Sequence, residues 1–232
     1  MARMPRLAVA GQPHLVIQRS GADRPAFIDD TDRRANLDAV REVADRGPVA
    51  IHAHVLLDDA VMLLLTPHSA DDLGRFMQRV SRRYVGGFRQ RHGGSGALWS
   101  GRFQAAALEP ERYLLAAMLL IEQAPMRAGL VATPTDWPWS SARHHTGRGA
   151  SALITEHPVW WHTGNTPFER EARHEMELQR SLPADRVAEL LAAARRGWPL
   201  GSPAFVAATA GADDRQVRPK PRGRPRQATG AK

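Results

Sequence analysis

The sequence contains no cysteine, only two lysines and only two tyrosines, Tyr84 and Tyr113, among its 232 residues. The absence of cysteine excludes disulfide frameworks and thiolate metal sites. No apolar run approaches the ~18 residues of a membrane-spanning helix, and the first six residues lack the apolar core of a signal peptide. We therefore expect a soluble, cytoplasmic protein with no membrane partner.

Basic residues outnumber acidic ones in the sequence. The net charge is +8 and the pI is about 11.1, which favours an anionic partner, with nucleic acid first. Seven basic residues and no acidic one lie between positions 215 and 232, and removing their charge leaves +1 on the other 214 residues. A second tract without acidic residues, 74–108, contains seven arginines. One such tract is often only a solvated face, but two in a short chain favour a polyanion.

Hydrophobic periodicity predicts the order strand, helix, hairpin, helix, strand, helix. The predicted elements are a strand at 14–19, a helix after Asp29, hairpin strands at 49–57 and 60–66, a helix at 73–91, a strand at 103–108 and a helix from Pro110 to about residue 123. This order is typical of an α+β fold with a ferredoxin-like antiparallel sheet and helices on one face. Further helical patterns cover 167–180, 183–196 and a short stretch after Pro203. The Pro/Gly/Arg-rich end cannot bury a core and is expected to be disordered until bound.

Four short motifs carry a family resemblance. They are Gly11-Gln12-Pro13-His14, Leu98-Trp99-Ser100-Gly101-Arg102-Phe103, Pro125-Met126-Arg127-Ala128-Gly129 and Trp137-Pro138-Trp139-Ser140-Ser141. In their order and spacing they resemble the REP-associated tyrosine transposases, a branch of the HUH superfamily of single-strand DNA transposases. The resemblance implies a ferredoxin-like nuclease domain over residues 5–145 that acts on hairpin-forming single-stranded DNA. A loop and helical segment, 146–210, and a basic tail, 211–232, would follow it.

The resemblance also implies which chemistry is missing. The family holds a divalent metal, Mg²⁺ or Mn²⁺, with an H-x-H pair on a central strand, and a tyrosine on a nearby helix attacks the DNA phosphate. Ala60 and Met62 stand at the two histidine positions, and Leu120 stands at the tyrosine position. Neither a methyl group nor a thioether is a useful ligand for a hard cation. We therefore predict a catalytically inactive relative with no catalytic residue, metal or cofactor.

An active enzyme with a relocated site is the alternative. His52-Ala53-His54 repeats the H-x-H spacing on a predicted strand, where both rings would share one face. Such a site would use His52, His54 and Tyr113 with Mg²⁺ or Mn²⁺. However, this strand neighbours the family's metal-binding strand, and Tyr113 precedes Leu120 by about 10.5 Å of helix. Structural roles are the expected interpretation of these residues. His144-His145 lies in loop-like sequence without ligand spacing.

Candidate DNA contacts lie in both basic tracts. Those in the folded body are Arg82, Arg83, Arg89, Arg91 and Arg102, and those in the tail are Arg222, Gly223, Arg224, Pro225 and Arg226. The tail residues match an AT-hook, in which an extended Arg-Gly-Arg-Pro core lies in the narrow minor groove of AT-rich duplex DNA. Trp99 is either a base-stacking residue or, the expected interpretation, a core residue.

These observations predict a DNA-binding protein related to DNA transposition. It would bind single-stranded hairpin or AT-rich duplex DNA without cutting it, and would associate with the nucleoid in a bacterial cytoplasm. The active nickase or transposase is the alternative, and a relic that retains no DNA binding is a third hypothesis. The sequence leaves a homodimer open.

Overall fold

The computed structural model describes residues 7–21 and 24–210, and their centre is a four-stranded antiparallel sheet. The strands are β1 (His14–Arg19), β2 (Val49–Leu57), β3 (Ala60–Pro67) and β4 (Gln104–Ala107), in the order β2-β3-β1-β4. The helices are α1 (Asp30–Asp45), α2 (Ala70–His92), α3 (Pro110–Glu122), α4 (Ala124–Arg127), α5 (Ala142–His145), α6 (Pro158–Trp161), α7 (Pro167–Gln179), α8 (Ala184–Arg196) and α9 (Pro203–Ala210), with a 3-10 turn at Pro134–Asp136. The predicted α+β class with an antiparallel sheet is confirmed.

Helices cover both faces of the sheet, whereas the sequence predicted them on one. On the first face, α2 packs against β3, where Val61 and Leu63 are buried, and α1 packs against β2. On the second face, α3 packs against β2 and β3, where Met62 and Leu64 are buried, and α8 packs against β4 and β1. The reason lies in β3, which is apolar at every position from Ala60 to Leu65 and therefore has two faces to bury.

Residues beyond 145 complete the core of the second face. In α8, Leu190, Ala193 and Ala194 are buried against β1 and β4. The amide of Leu200 then donates to the carbonyl of Ala107 at 2.9 Å, which satisfies a backbone acceptor on the edge strand β4. The C-terminal helical segment thus contributes to the same core as the sheet.

Helix α2 begins three residues earlier than the periodicity predicted. The backbone N–H of Ser69 donates to the Asp72 carboxylate at 2.7 Å, and the two residues form a capping box. The helix buries one apolar stripe and turns its arginines outward. In the described part of the chain, no helix combines the length and apolar character that a membrane span requires.

Candidate functional site

The three positions that the resemblance marks as catalytic lie in one apolar cluster. Ala60 and Met62 are on β3, Leu120 is on α3, and their exposed fractions are 0%, 4% and 1%. Met62 lies opposite Ile17 of β1 and Val55 of β2, which belong to the same cluster. The fold therefore brings these positions together, as the resemblance implies, but fills them with packed hydrocarbon.

These side chains do not fit a divalent cation. A hard cation such as Mg²⁺ or Mn²⁺ takes oxygen or imidazole ligands, and the side chains of Ala60, Met62 and Leu120 supply neither. A charge placed in this buried cluster would also lack compensation. No step of phosphodiester cleavage can be assigned to the three residues.

The H-x-H pair on β2 is part of the structural framework. A β-bulge just before Ala53 interrupts the strand, so the alternation on which the shared-face prediction rested does not hold there. His52 donates from Nδ1 to the Thr155 carbonyl at 2.7 Å, and its Nε2 accepts from the Thr66 hydroxyl at 2.8 Å. His54 is buried, and neither histidine joins a group of three potential metal ligands among the described residues.

Both tyrosines also hold structural positions. The Tyr84 hydroxyl donates to the Ala26 carbonyl, and burial raises its pKa strongly. The Tyr113 hydroxyl donates to the Glu189 carboxylate at 3.0 Å, and the Arg186 guanidinium lies 4.8 Å from its ring centroid. Burial and the Glu189 carboxylate raise the pKa of Tyr113. A raised pKa opposes formation of the phenolate that nucleophilic attack requires.

The tract without acidic residues forms an open groove of about 880 Å³ along α2. One wall is the outer side of α2, and the other is the segment 97–103. Three of the five predicted arginines, Arg82, Arg89 and Arg102, line the groove, and no described residue that lines it carries a carboxylate. The Arg89 guanidinium also donates to the Gly96 carbonyl at 2.7 Å, which fixes its position. The groove is therefore electropositive.

The other two predicted arginines, Arg83 and Arg91, lie outside the groove and form ion pairs with nearby carboxylates. Arg83 forms an ion pair with Glu42 of α1. Arg91 forms one with Asp29 at 2.7 Å and another with the buried Asp32. Hydrogen bonding to Arg91 lowers the pKa of Asp29 to about 2. The Arg83 pair connects α2 to the last turn of α1, and the Arg91 pairs connect it to the start of α1, so both arginines already bind carboxylates of the protein.

Trp99 lies in the groove wall but faces the core. It is 8% exposed, and its ring centroid is 5.9 Å from that of Tyr84. Its indole Nε1 is buried and has no hydrogen-bond acceptor within the described ranges. This position accords with the expected core role. The AT-hook-like segment, 221–226, lies outside the described residues.

A buried polar cluster that was not predicted from the sequence consists of Glu122, His145 and His174. Their side chains meet in the interior, although His145 and His174 follow Glu122 by 23 and 52 positions. No local spacing predicts such a meeting, because the three residues come from three separate helices.

Lowering the pH from neutral to about 4 is expected to reduce the free energy of unfolding. Burial lowers the pKa of His14 and of His52 from 6.5 to about 4. The unfolded chain therefore takes up protons at these residues first, so their contribution to stability is fully present above pH 6.5 and is lost as the pH falls towards 4. Urea unfolding across this range measures the effect, and His52→Gln should make the fall shallower. A constant free energy of unfolding would contradict the assignment.

Comparison with known proteins places the fold. No protein-family model matches the sequence, and no curated protein matches it. A solved REP-associated tyrosine transposase bound to a REP hairpin superposes with a TM-score of 0.56 at 19% identity, over 68% of this chain and 93% of that one. A candidate transposase from Deinococcus radiodurans R1 gives a TM-score of 0.35 at 23% identity, over 50% of this chain and 93% of that one, which is too loose to support an argument. The chain therefore has the fold of a REP-associated tyrosine transposase.

Proposed function

We propose that this protein binds DNA and does not cut it. Its ligand is DNA with a single-stranded or hairpin-forming segment, and the binding surface is the groove along α2. The single observation that carries the proposal is the convergence of Arg82, Arg89 and Arg102 on an open groove lined without a carboxylate. The solved transposase with the same fold is bound to a DNA hairpin, which supports the same class of ligand here.

The chemistry of the groove suits a nucleic-acid strand. Arginine forms bidentate contacts with phosphate and releases condensed counterions from DNA, which supplies affinity without sequence preference. The floor and walls also include apolar groups, with Met77 and Val85 on α2 and Phe103 on the facing segment. Apolar and aromatic surface between phosphate contacts favours unstacked bases over a closed duplex. The groove therefore fits a single strand or the unpaired part of a hairpin.

The absence of cleavage follows from the cluster around Leu120. Strand scission in this superfamily needs a metal-bound phosphate and a nucleophile, and Ala60, Met62 and Leu120 supply neither a ligand nor an attacking group. We assign the basic tail, 211–232, a supporting role in which Arg222, Arg224 and Arg226 bind AT-rich duplex. Binding through both parts would hold the protein on bacterial chromosomal DNA.

The test is the affinity of the full chain for an end-labelled hairpin oligonucleotide with a single-stranded flank, measured by fluorescence anisotropy at several salt concentrations. Each phosphate neutralised contributes about 0.7 to 0.9 to the slope of log affinity against log salt, so the groove arginines alone predict a slope of about −2. A chain with Arg222, Arg224 and Arg226 replaced by alanine should retain this slope of about −2. Loss of all salt-dependent binding in that variant would refute the groove as the DNA site.

A further inference from the structure

The carboxylate of Glu122 is buried between two imidazole rings. Its Oε1 lies 2.6 Å from Nδ1 of His145, and its Oε2 lies 2.5 Å from Nε2 of His174. The Ser141 hydroxyl donates to Oε1 at 2.6 Å. Glu122 is fully buried, and His145 and His174 are 2% and 4% exposed. The proposed DNA site uses none of these groups.

We propose that Glu122, His145 and His174 form a binding site for a divalent transition metal ion, with Zn²⁺ as the best fit. Two imidazole nitrogens and one glutamate are an established donor set for Zn²⁺. One ligand atom from each of the three residues lies within 4.8 Å of the other two, so a single ion can contact all of them. Imidazole donors favour Zn²⁺ over Mg²⁺ or Ca²⁺, which prefer oxygen ligands.

Both carboxylate oxygens face a ring nitrogen. With one donor atom each, Glu122, His145 and His174 supply three of the four ligands of a tetrahedral Zn²⁺, and the second oxygen of the Glu122 carboxylate is available as the fourth. A bound metal ion would take the place of the hydrogen bonds that Nδ1 of His145 and Nε2 of His174 now make to the carboxylate, and the displaced protons would pass to solvent.

The surroundings fix the ligands and exclude water. Ser141 orients the Glu122 carboxylate as an outer-shell partner. The Trp160 ring packs against both histidines, with centroid distances of 4.9 Å to His145 and 4.8 Å to His174. Because the three ligands are at most 4% exposed, we assign the ion a structural role.

The ion would join three helices. Glu122 is on α3, His145 is on α5 and His174 is on α7, so one metal would attach the segment beyond residue 145 to the helix that covers the sheet. Metal binding to the native state alone adds directly to folding stability. We therefore expect thermal stability to depend on the metal.

The experiment uses the full chain without a histidine tag, stripped with a chelator and then dialysed against Zn²⁺ or Co²⁺. The expected result is one metal ion per chain by elemental analysis, a higher melting temperature with Zn²⁺, and the visible absorption of tetrahedral Co²⁺. His174→Ala should abolish all three, and the exposed His162→Ala should change none. Glu122→Gln, which keeps the size of the side chain, should also lose the Co²⁺ absorption.

One result would contradict the proposed metal site. A wild-type chain that folds, takes up no more metal than His174→Ala and melts at the same temperature with and without Zn²⁺ would show that the cluster is a hydrogen-bonded network only. This result would leave the proposed DNA binding unaffected, because the groove and the cluster share no residue.

Discussion

Gly86→Glu is expected to weaken the binding of hairpin DNA by about 10-fold or more, whereas Gly87→Glu is expected to leave it close to that of the wild-type chain. Both glycines are exposed positions inside α2, and a Cβ at either would meet no atom within 4 Å. Only Gly86 lines the groove. The two variants carry the same added charge, so the effect depends on which side of the helix bears it.

The measurement is anisotropy with the hairpin oligonucleotide, together with urea unfolding of each variant. Replacing a glycine in a helix interior removes a cost of about 0.5 to 1 kcal/mol, so neither variant should lose stability. A second pair uses arginine: Arg82→Ala should lower the salt slope by about 1, and Arg79→Ala, on another side of α2, should not. Equal losses of DNA affinity for Gly86→Glu and Gly87→Glu would rule out the groove as the DNA-binding site.

Leu120→Ala is expected to lower the free energy of unfolding by about 2 to 5 kcal/mol. Leu120 is 1% exposed and packs between α3 and the sheet, so its removal leaves a cavity in the core. Leu130→Ala is the matched control, because Leu130 is 37% exposed and its truncation should cost much less. Urea unfolding of the three chains gives the comparison. A cost for Leu120→Ala no larger than that of the control would mean that this position is an open pocket rather than core.

The central strands could be predicted because their sequences have few alternatives. Residues 49–57 and 60–66 are apolar and rich in β-formers, and Asp58-Asp59 between them leaves room only for a tight turn. The covering of the second face was missed because periodicity did not show that α3 packs opposite α1 and α2, and because α8 packs against β4 from far along the chain. Periodicity indicates that a helix has a buried side but not which surface it meets.

The candidate site was predicted only in part for the same reason. The tract 74–108 identified the groove arginines, but sequence could not separate Arg82 from Arg83. Their difference depends on Glu42 of α1, which lies beside Arg83 only in the folded chain. The cluster of Glu122, His145 and His174 was even harder to predict, because its members lie on three helices and show no common spacing.

The proposed function separates the fold of this protein from the chemistry of cleavage. The sheet, its strand order and the position of α3 follow a fold that is also found in a transposase bound to a DNA hairpin. Cleavage depends instead on a few side chains. The proposed function excludes it because three apolar residues stand at those positions.

The most direct test is incubation of the full chain with a labelled hairpin oligonucleotide and Mn²⁺, followed by a denaturing gel. A parallel native gel shows how much of the DNA is bound. We predict that the DNA is bound but remains uncut, with no label attached to protein. A labelled protein band, with the oligonucleotide joined to Tyr84 or Tyr113, would contradict the account.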